Sequence, residues 1–423
     1  MNNDTICAPA TAPGGALGII RISGEQALEI LSRIFTKDLT HAKPNTIHYG
    51  HISNLDETLV SVFRAPHSYT GEDAAEISCH GSRYILNKIL ELLVQNGCRM
   101  AKPGEFTMRA YLNGKLDLSQ AEAVADLIAS TNKATHDIAL SQLRGHFSSE
   151  LAQLRDQLLR LTSLLELELD FSDHEDLEFA DRAELMELAQ KIDARITHLA
   201  KTFQTGNALK NGIPVAIIGA PNVGKSTLLN ALLGEERAIV SDIQGTTRDA
   251  IEDTIQLGGI TFRFIDTAGI RHTDDQVERL GIDRSFSAAQ HATIILMMTE
   301  PNVPYPNIPV RPDQTVIHIE NKTEAFRAKD GIGLDNLRQQ LIDAAPKTTD
   351  TDIIITNARH YESLTLAHES ISRVIDGLQQ KLSGDLLSED LRLTLNHLAD
   401  ITGGQITPQE TLNNIFSSFC VGK

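Results

Sequence analysis

The sequence lacks tryptophan, is poor in aromatic residues and carries few cysteines. Its 423 residues include no Trp, four Cys and 4% aromatic residues. The cysteines stand at Cys7, Cys79, Cys98 and Cys420, too far apart for a C-x-x-C redox pair or a zinc knuckle. Such sparse use of cysteine is typical of a reducing cytosol, so we expect a cytoplasmic protein.

A long apolar run is also missing. No stretch reaches the roughly 18 to 20 apolar residues that a membrane span requires. Residues 1–10 do not contain a basic segment followed by an apolar run. We therefore expect neither a membrane span nor a secretion signal. The remaining composition, 41% hydrophobic and 22% charged, is typical of a globular protein.

Positive charge is scarce. There are 38 Lys and Arg residues against 56 Asp and Glu residues, which gives a net charge of -18. Such a chain cannot bind a nucleic acid by bulk electrostatics, because phosphate binding depends on many cations. If an RNA is the substrate, either a basic partner or a local basic patch must hold it.

The chain divides into regions of different pattern. Residues 1–118 combine strand-like runs, Gly18 to Ile22 and Val60 to Arg64, with one helical run, Ser82 to Gln95. From Leu118 to about Thr205 the pattern is helical. Leucines recur there at three- and four-residue steps, which places them on one helix face and predicts a packing face in a bundle. These are Leu151, Leu154, Leu158, Leu161 and Leu165.

Strands and helices alternate over residues 212–346, and helical patterns return afterwards. Amphipathic runs extend from His360 to Leu382 and from Glu389 to Ile401. Two helical halves around an α/β block predict one helical domain interrupted by an inserted domain, an arrangement that is tolerated where the ends of the insert lie close together.

A phosphate-binding loop opens the α/β block. The apolar strand Val215 to Ile218 leads into Gly219-Ala-Pro-Asn222-Val223-Gly224-Lys225-Ser226, and a helix is predicted from Thr227 to Leu233. This is G-x-x-x-x-G-K-S between a strand and a helix, the context that confirms the motif. We expect backbone N–H groups and the helix N-terminus to bind phosphates, Lys225 to reach the β- and γ-phosphates, and Ser226 to ligate Mg²⁺.

Three further motifs follow in the order that a GTPase requires. Gly245-Thr246-Thr247-Arg248-Asp249 supplies a threonine that can ligate Mg²⁺ and sense the γ-phosphate. After a hairpin signal at Gly258-Gly259, the strand Ile260 to Ile265 ends in Asp266-Thr267-Ala268-Gly269, an Asp for the metal shell and a Gly whose N–H can bind the γ-phosphate. Asn321-Lys322-Thr323-Glu324 follows the strand Thr315 to Ile319, where guanine is read.

The base-reading side departs from the usual pattern. Glu324 replaces the Asp of N-K-x-D and is one methylene longer, so guanine binding is expected to be looser. After the strand Thr293 to Met298 the segment holds Pro301, Pro304, Pro306, Pro309 and Pro312. Five prolines forbid a regular helix, so we predict a loop where a Ras-like domain has a helix. Few residues separate Asn321-Lys322 from the Phe326 to Ala328 segment, where a final strand and guanine loop are expected.

The residue that positions the attacking water is not evident from the motifs. Ile270 stands where a Ras-type enzyme has the Gln that orients water. Nearby alternatives are Arg271, Asp274, Asp275, Glu278 and Asp283. The residues alone do not choose among them.

Taken together, the motifs resemble the MnmE (TrmE) family of tRNA-modification GTPases over nearly the whole chain. The most specific strings lie outside the phosphate loop. They are Leu17-Gly-Ile-Ile-Arg-Ile-Ser-Gly24, Ser68-Tyr-Thr-Gly-Glu-Asp-Ala-Ala-Glu76, Pro103-Gly-Glu-Phe-Thr107, Leu112-Asn-Gly-Lys-Leu-Asp-Leu118 and Ile415-Phe-Ser-Ser-Phe-Cys420-Val-Gly-Lys423.

The resemblance implies a multidomain α+β and α/β fold. It predicts an N-terminal α+β domain that binds tetrahydrofolate and dimerises the protein (1–118), a helical domain in two parts (119–211 and 347–423) and an inserted Ras-like α/β G domain (212–346). It implies that the FAD-dependent partner MnmG joins in installing a carboxymethylaminomethyl or aminomethyl group on C5 of the wobble uridine of certain tRNAs. A 5,10-methylene or 5-formyl tetrahydrofolate is the implied cofactor.

Site residues carry over position by position. Arg21, Glu76, Lys115 and Lys423 match folate contacts, and Asn222, Ser241, Ile243 and Thr246 match K⁺ ligands, with Ser241 where the family usually has Thr. The K⁺ would offset transition-state charge in place of an arginine finger. Thr247 matches a Mg²⁺ ligand beside Ser226. Glu278 matches the catalytic glutamate, and Cys420 matches a cysteine once considered catalytic.

The full set of residues expected to contact the nucleotide comes from the motifs and the resemblance together. These residues are Asn222, Val223, Gly224, Lys225, Ser226, Thr227, Ser241, Asp242, Ile243, Gln244, Gly245, Thr246, Thr247, Asp266, Thr267, Ala268, Gly269, Asn321, Lys322, Thr323 and Glu324.

Two other functions remain open alternatives. One is a GTP-dependent ribosome-assembly factor of the Era or Der kind, which capture of ribosomal particles rather than of MnmG would indicate. The other is a degenerate G domain kept as a scaffold, suggested by Glu324 and the shortened loops. Comparison of GTP, ATP and XTP binding distinguishes it from an active GTPase.

Overall fold

Among the described residues, the chain divides into two units that each contain one β-sheet. The computed structural model describes residues 4–170, 182–234, 253–265, 287–347, 352–404, 409–417 and 419–422. The first unit comprises residues 1–129, 140–189 and 369–423, and the second comprises 130–139 and 190–368.

A six-stranded sheet organises the first unit, in the order β3-β4-β5-β2-β1-β6. Only the β1–β6 pair is parallel among these strands. The strands are β1 Thr5–Pro9, β2 Leu17–Ser23, β3 Thr46–Ile52, β4 Asp56–Phe63, β5 Ala74–His80 and β6 Cys98–Met100.

Helices cover one face of this sheet. Alternate residues of the strands, such as Ile20, Ile22 and Ile77, pack with helices α1 Ala27–Ile34 and α2 Arg83–Gln95 in one apolar core. The predicted strands at 18–22 and 60–64 and the predicted helix at 82–95 are confirmed, but α1 and α3 (Glu105–Leu112) were not predicted. Both are eight residues long, which is too short for a periodic pattern to stand out, and α3 also buries the charged Glu105 and Arg109.

The helical regions contribute to both units. All five leucines predicted to share a face of α6 are buried, at 0 to 3% exposure. Helix α6 packs against α11 in the first unit. The bounds are α4 Leu118–Ala129, α5 Lys133–Leu143, α6 His146–Asp170, α7 Arg182–Asn211, α10 Ala358–Gln379, α11 Gly384–Thr402 and α12 Gln409–Ser417.

The second unit contains a sheet of five strands in the order β11-β10-β7-β9-β8. Strands β8 and β9 form an antiparallel hairpin in which Leu257 pairs with Ile260. Gly258 and Gly259 both have positive φ, as a two-residue type I′ turn requires, so the predicted hairpin is confirmed. The other pairs are parallel. The elements are β7 Ile213–Gly219, α8 Lys225–Gly234, β8 Asp253–Leu257, β9 Ile260–Phe264, β10 Ile294–Thr299, β11 Thr315–Glu320 and α9 Leu334–Ala344.

Residues 300–314 connect the parallel strands β10 and β11 without a helix, as the prolines predict. Ile308 from this connection is partly buried against an apolar cluster that includes the sheet residues Ala216, Ile218 and Ile295. The connection after β11 is a tight turn in which the Thr323 N–H donates to the Phe326 carbonyl at 3.1 Å.

The segment between α7 and α10 begins and ends at neighbouring points. The Ile355 N–H donates to Thr202 Oγ1 at 3.1 Å. A Cβ atom on Gly206 would lie only 2.0 Å from the Ile355 carbonyl oxygen, and Phe203 stacks on Tyr361 with ring centroids 4.6 Å apart. An inserted domain needs close ends of this kind.

None of the helices in the described ranges is both long enough and apolar enough to cross a bilayer.

Candidate functional site

The predicted phosphate-binding loop lies between β7 and α8, which is the strand–loop–helix context expected for it. Asn222 and Gly224 adopt left-handed backbone conformations, with φ of 62° and 98°. Left-handed residues in a loop let successive N–H groups converge on an anion. A Cβ atom at Gly224 would lie 2.5 Å from Asn321 Nδ2, so this position has room only for glycine.

Lys225 lies over its own loop. Its Nζ donates to the carbonyls of Gly219 at 2.8 Å and Ala220 at 2.9 Å. Burial lowers the pKa of this lysine. The ammonium is thus held close to where the loop can receive a phosphate, and a phosphate would replace the two carbonyls as its partner.

Asn321 joins the phosphate loop to the segment that follows β11. Its side chain is buried, its Nδ2 donates to the Val223 carbonyl at 2.9 Å, and its Oδ1 accepts from the Ala328 N–H at 3.1 Å. Both ends of the amide are used within the protein. Asn321 therefore sets the distance between the phosphate loop and the 326–333 segment.

In the rest of the predicted base-reading motif, Lys322 and Glu324 are exposed and Thr323 is half-buried. Lys322 has a φ of 64° and pairs with Glu300, the residue after β10. Thr323 Oγ1 accepts from the Phe326 N–H at 3.0 Å. Glu324, at the tip of this turn, is exposed and has no hydrogen-bond or ion-pair partner among the described residues, so its carboxylate is available to a ligand.

The other described phosphate-loop residues have distinct environments. Val223 is buried in the apolar core of the second unit, Ser226 lies in the first turn of α8, and Thr227 is exposed. The remaining predicted nucleotide, Mg²⁺, K⁺ and catalytic residues fall outside the described residues. These are Ser241, Asp242, Ile243, Gln244, Gly245, Thr246, Thr247, Asp266, Thr267, Ala268, Gly269 and Glu278.

A second candidate site lies in the first unit, on the sheet face opposite α1 and α2. Arg21 of β2 and Glu76 of β5 are cross-strand partners. Arg21 Nε and Nη2 both donate to Glu76 Oε1, at 2.9 and 2.7 Å. Two predicted folate contacts that are 55 residues apart in sequence are thus brought together.

Two aromatic rings lie against the Arg21 guanidinium. Its Cζ is 5.6 Å from the centroid of the Tyr69 ring and 5.7 Å from that of Phe106, within the range of cation–π attraction. The Tyr69 hydroxyl is 2.9 Å from Thr107 Oγ1, and burial raises the pKa of Tyr69. Tyr69, Phe106 and Thr107 were not among the predicted site residues, although they lie in the strings on which the family resemblance rests.

The C-terminal residues reach the same site. The Gly422 carbonyl accepts from Arg21 Nη1 at 3.0 Å, and the Gly104 N–H donates to the Cys420 carbonyl at 3.3 Å. A Cβ atom on Gly422 would lie 2.3 Å from the Pro9 carbonyl oxygen. The Cys420 residue is exposed. Lys423 lies outside the described residues.

Lys115 is an exposed residue whose Nζ donates to the Pro66 carbonyl at 2.9 Å. Pro66 belongs to the connection between β4 and β5 that also holds Tyr69. The structure therefore associates Lys115 with this connection rather than pairing it directly with Arg21 or Glu76.

A charged cluster supports this region. Arg109 Nη2 donates to Asp4 Oδ1 at 2.7 Å, and its Nη1 donates to Glu72 Oε1 at 3.1 Å. Glu105 is buried and pairs with both Arg99 and Arg109. Burial alone would raise the pKa of Glu105, but hydrogen bonds from Arg99 and the Lys102 N–H and the nearby positive charges hold it below its usual range.

The family comparisons cover almost the whole chain. The description "GTP-binding protein TrmE N-terminus" matches residues 5–115, and "MnmE helical domain" matches residues 118–420. Three relatives carry the name tRNA modification GTPase MnmE. Their sequences are identical to this chain at 52% (Bacteroides fragilis), 49% (Flavobacterium johnsoniae) and 47% (Porphyromonas gingivalis) of aligned positions.

These relatives match end to end. The alignments cover 100% of this chain and 99 to 100% of each relative. The alignment with the Bacteroides fragilis protein spans 467 positions against the 423 residues of this chain, so aligned positions remain without a residue here. On the strength of both comparisons, the chain belongs to the MnmE (TrmE) family of tRNA modification GTPases.

Proposed function

We propose that this chain is a GTP hydrolase of the cytoplasm that acts in the modification of wobble uridines in tRNA. The observation that carries the proposal is the phosphate loop of the second unit. The proposal is supported by the tight fit of Gly224, by the bond from Lys225 to its own loop, and by Asn321, which joins the loop to the segment after β11. The printed names of the relatives support the same activity.

The described residues support specific roles in nucleotide binding. The loop N–H groups and the start of α8 bind phosphate oxygens, and the Lys225 ammonium offsets their charge. The Ser226 hydroxyl, in the first turn of α8, and Thr247 are the Mg²⁺ ligands. The exposed Glu324 carboxylate accepts hydrogen bonds from the guanine N1–H and 2-amino group.

Hydrolysis depends on residues beyond the described ranges. Glu278 orients the attacking water, and K⁺ is held by Asn222, Ser241, Thr246 and the Ile243 carbonyl, where it offsets transition-state charge. Of these four K⁺ ligands the structure describes Asn222, whose exposed left-handed position in the loop is compatible with an ion at the phosphates. The G domains of a homodimer face each other when GTP is bound.

The modification reaction involves the first unit and a partner. Arg21, Glu76, Lys115 and Lys423 bind a 5,10-methylene or 5-formyl tetrahydrofolate that supplies the one-carbon unit. The FAD-bearing protein MnmG joins the homodimer in a heterotetramer or larger complex and makes most of the tRNA contacts. The net charge of -18 supports that division, because an acidic chain has little bulk attraction for RNA.

The ion dependence of hydrolysis tests the proposal. We expect the protein to hydrolyse GTP faster in K⁺ than in Na⁺ at equal ionic strength, and Asn222→Ala to lose that difference. Asn302→Ala is the matched control, because Asn302 has a similar φ of 67° and is exposed in the same unit but lies outside the phosphate loop. Equal rates of the unaltered protein in the two ions would count against K⁺ stimulation, and absence of hydrolysis in either ion against the GTPase itself.

A further inference from the structure

We propose that the turn of the β8–β9 hairpin forms a nucleotide-sensitive contact with the N-terminus of helix α5, and that GTP binding tightens this contact. The proposal rests on the GTPase activity proposed above. It names the hairpin as the element through which nucleotide at the phosphate loop acts on a helix that precedes the inserted segment in the chain.

The hairpin stands between two of the nucleotide motifs in the sequence. Gly245-Thr-Thr-Arg-Asp249 precedes β8, and Asp266-Thr-Ala-Gly269 follows β9. Both motifs connect to the same end of the hairpin, and the Gly258-Gly259 turn forms its other end. A ligand that binds both motifs restrains the two strands at once. Fraying of the hairpin, and of any contact made by its turn, then becomes rarer.

The two faces of the hairpin have different partners, because alternate residues of a strand point to opposite sides. Gln256 and Thr261 are cross-strand partners on the polar face. Gln256 Nε2 donates to the Thr131 carbonyl at 2.7 Å, and Asn132 Nδ2 donates to Thr261 Oγ1 at 2.8 Å. This pair therefore binds the two residues that directly precede α5. The other face lies in the apolar core through Ile255, Leu257, Phe262 and Phe264.

The turn also supplies an acceptor to the first turn of α5. The first N–H groups of a helix have no partner within the helix. Here the Ala134 N–H donates to the Gly259 carbonyl at 3.1 Å, and the Thr135 N–H donates to Asn132 Oδ1 at 2.9 Å. A Cβ atom on Gly259 would lie 3.0 Å from the Lys133 Cβ, so the turn packs closely on the helix. The buried Asn132 thus caps α5 and binds the hairpin at the same time.

Helix α5 contributes residues to both units. The second unit includes its residues up to Ala139, and the first unit resumes at Leu140. Ile138 packs against the apolar core of the second unit, and Leu143 packs against the cluster that contains Phe416 of α12. A change at the first turn of α5 therefore acts on a helix that the core of the first unit also uses.

Hydrogen exchange of the Ala134 amide measures the contact directly. We would compare the full chain bound to GDP with the full chain bound to a non-hydrolysable GTP analogue, both in K⁺ and Mg²⁺ buffer, by mass spectrometry of overlapping peptides. We expect the Ala134 amide to exchange about fivefold more slowly or better with the analogue, a typical size for coupling between sites. The slowing is expected to extend along α5 to Ile138.

Thr261→Val tests whether the polar face belongs to the contact. Valine lacks the hydroxyl that accepts from Asn132 but keeps the β-branched shape that suits a strand. We expect faster Ala134 exchange with either nucleotide, by about 2- to 10-fold, the effect of one lost hydrogen bond. Thr254→Val is the matched control. Thr254 lies on the same face of β8, its side chain forms no hydrogen bond among the described residues, and exchange is expected to stay unchanged.

The outcomes separate this contact from the GTPase itself. Equal Ala134 exchange with GDP and with the analogue, when both nucleotides bind, overturns the proposal. Slowing confined to residues 253–264, or equal effects of the two threonine variants, also overturns it. Should Thr261→Val fail to fold by thermal melting, Gln256→Leu removes the neighbouring hydrogen bond and is expected to speed Ala134 exchange in the same way. Failure of the unaltered protein to bind the analogue contradicts the GTPase proposal instead.

Discussion

Gly224 illustrates how a single residue of the phosphate loop meets two requirements. Its φ of 98° is a conformation that residues with a Cβ rarely adopt, and a Cβ atom would also lie 2.5 Å from the buried Asn321 amide. Both the backbone turn and the contact with Asn321 therefore require a residue that has no Cβ atom.

We predict that Gly224→Ala destabilises the protein by about 1–3 kcal/mol, the cost of a strained backbone position. We also expect it to weaken GTP binding at least tenfold, because relief of the clash moves Asn321 away from the loop. Binding of a fluorescent GTP analogue and urea unfolding measure the two effects.

Gly234→Ala is the matched control for this prediction. Gly234 ends α8 in the same unit, and a Cβ atom there would have no neighbour within 4 Å. Alanine in a helix is expected to be neutral or slightly stabilising. If both variants bound GTP as tightly as the unaltered protein, the proposed link through Asn321 would be wrong.

The local sequence predicted a loop between a strand and a helix at residues 219–226, but not the contacts that support this loop. The G-x-x-x-x-G-K-S motif identifies Gly224 and Lys225 because the predicted role of each residue depends on the backbone of its neighbours in sequence. The contact of Asn321 with Val223 joins residues 98 positions apart, and that of Arg21 with Gly422 joins residues 401 positions apart. Such pairings follow from the packing of whole elements, which no local pattern specifies.

Among the elements, those with a clean apolar period or a strong turn signal were predicted correctly. Helix α6, with its leucine face, and the β8–β9 hairpin, with its glycine pair, are examples. Helices α1 and α3 were missed because they are short, and because α3 buries charges that conceal its inner face. The buried charges of α3 are balanced by residues outside the helix, Arg99, Asp4 and Glu72.

The carboxylates of this cluster make the stability of the first unit dependent on pH. The pKa values of Glu105 and Asp4 are lowered in the folded protein from 4.5 and 3.8. Groups of this kind stabilise the fold above their unfolded pKa, and the contribution is lost as the pH falls through the folded pKa. We therefore expect unfolding free energy to fall below about pH 4.5, and Glu105→Gln to make that fall shallower.

At neutral pH we expect Glu105→Gln to cost about 1–3 kcal/mol, because Arg99 and Arg109 lose a charged acceptor in a buried position. Glu29→Gln is the control, since Glu29 forms an exposed pair with Arg33 that is worth about 0–1 kcal/mol. Urea unfolding at a series of pH values measures both variants. An unchanged pH dependence in Glu105→Gln would show that Glu105 does not contribute to it.

On the scale of the whole molecule, the chain carries two candidate sites with different chemistry. The second unit has a phosphate loop, and the first has an Arg–Glu pair closed on one side by the C-terminal Gly422. The end of the chain thus completes a site that begins with residue 21. The proposed function requires both sites, because GTP hydrolysis alone transfers no carbon to a tRNA.

The most direct test of that function is a reconstituted modification reaction. The protein would be incubated with MnmG, unmodified tRNA, a methylene tetrahydrofolate, an amine donor and GTP in K⁺ buffer, and the tRNA nucleosides analysed by mass spectrometry. We predict that the wobble uridine gains an aminomethyl or carboxymethylaminomethyl group, and that the gain is lost when a non-hydrolysable GTP analogue replaces GTP. A parallel reaction in which a relative replaces this protein shows whether MnmG is active. If that control modifies the tRNA, while this protein hydrolyses GTP but leaves the wobble uridine unmodified, the account is contradicted.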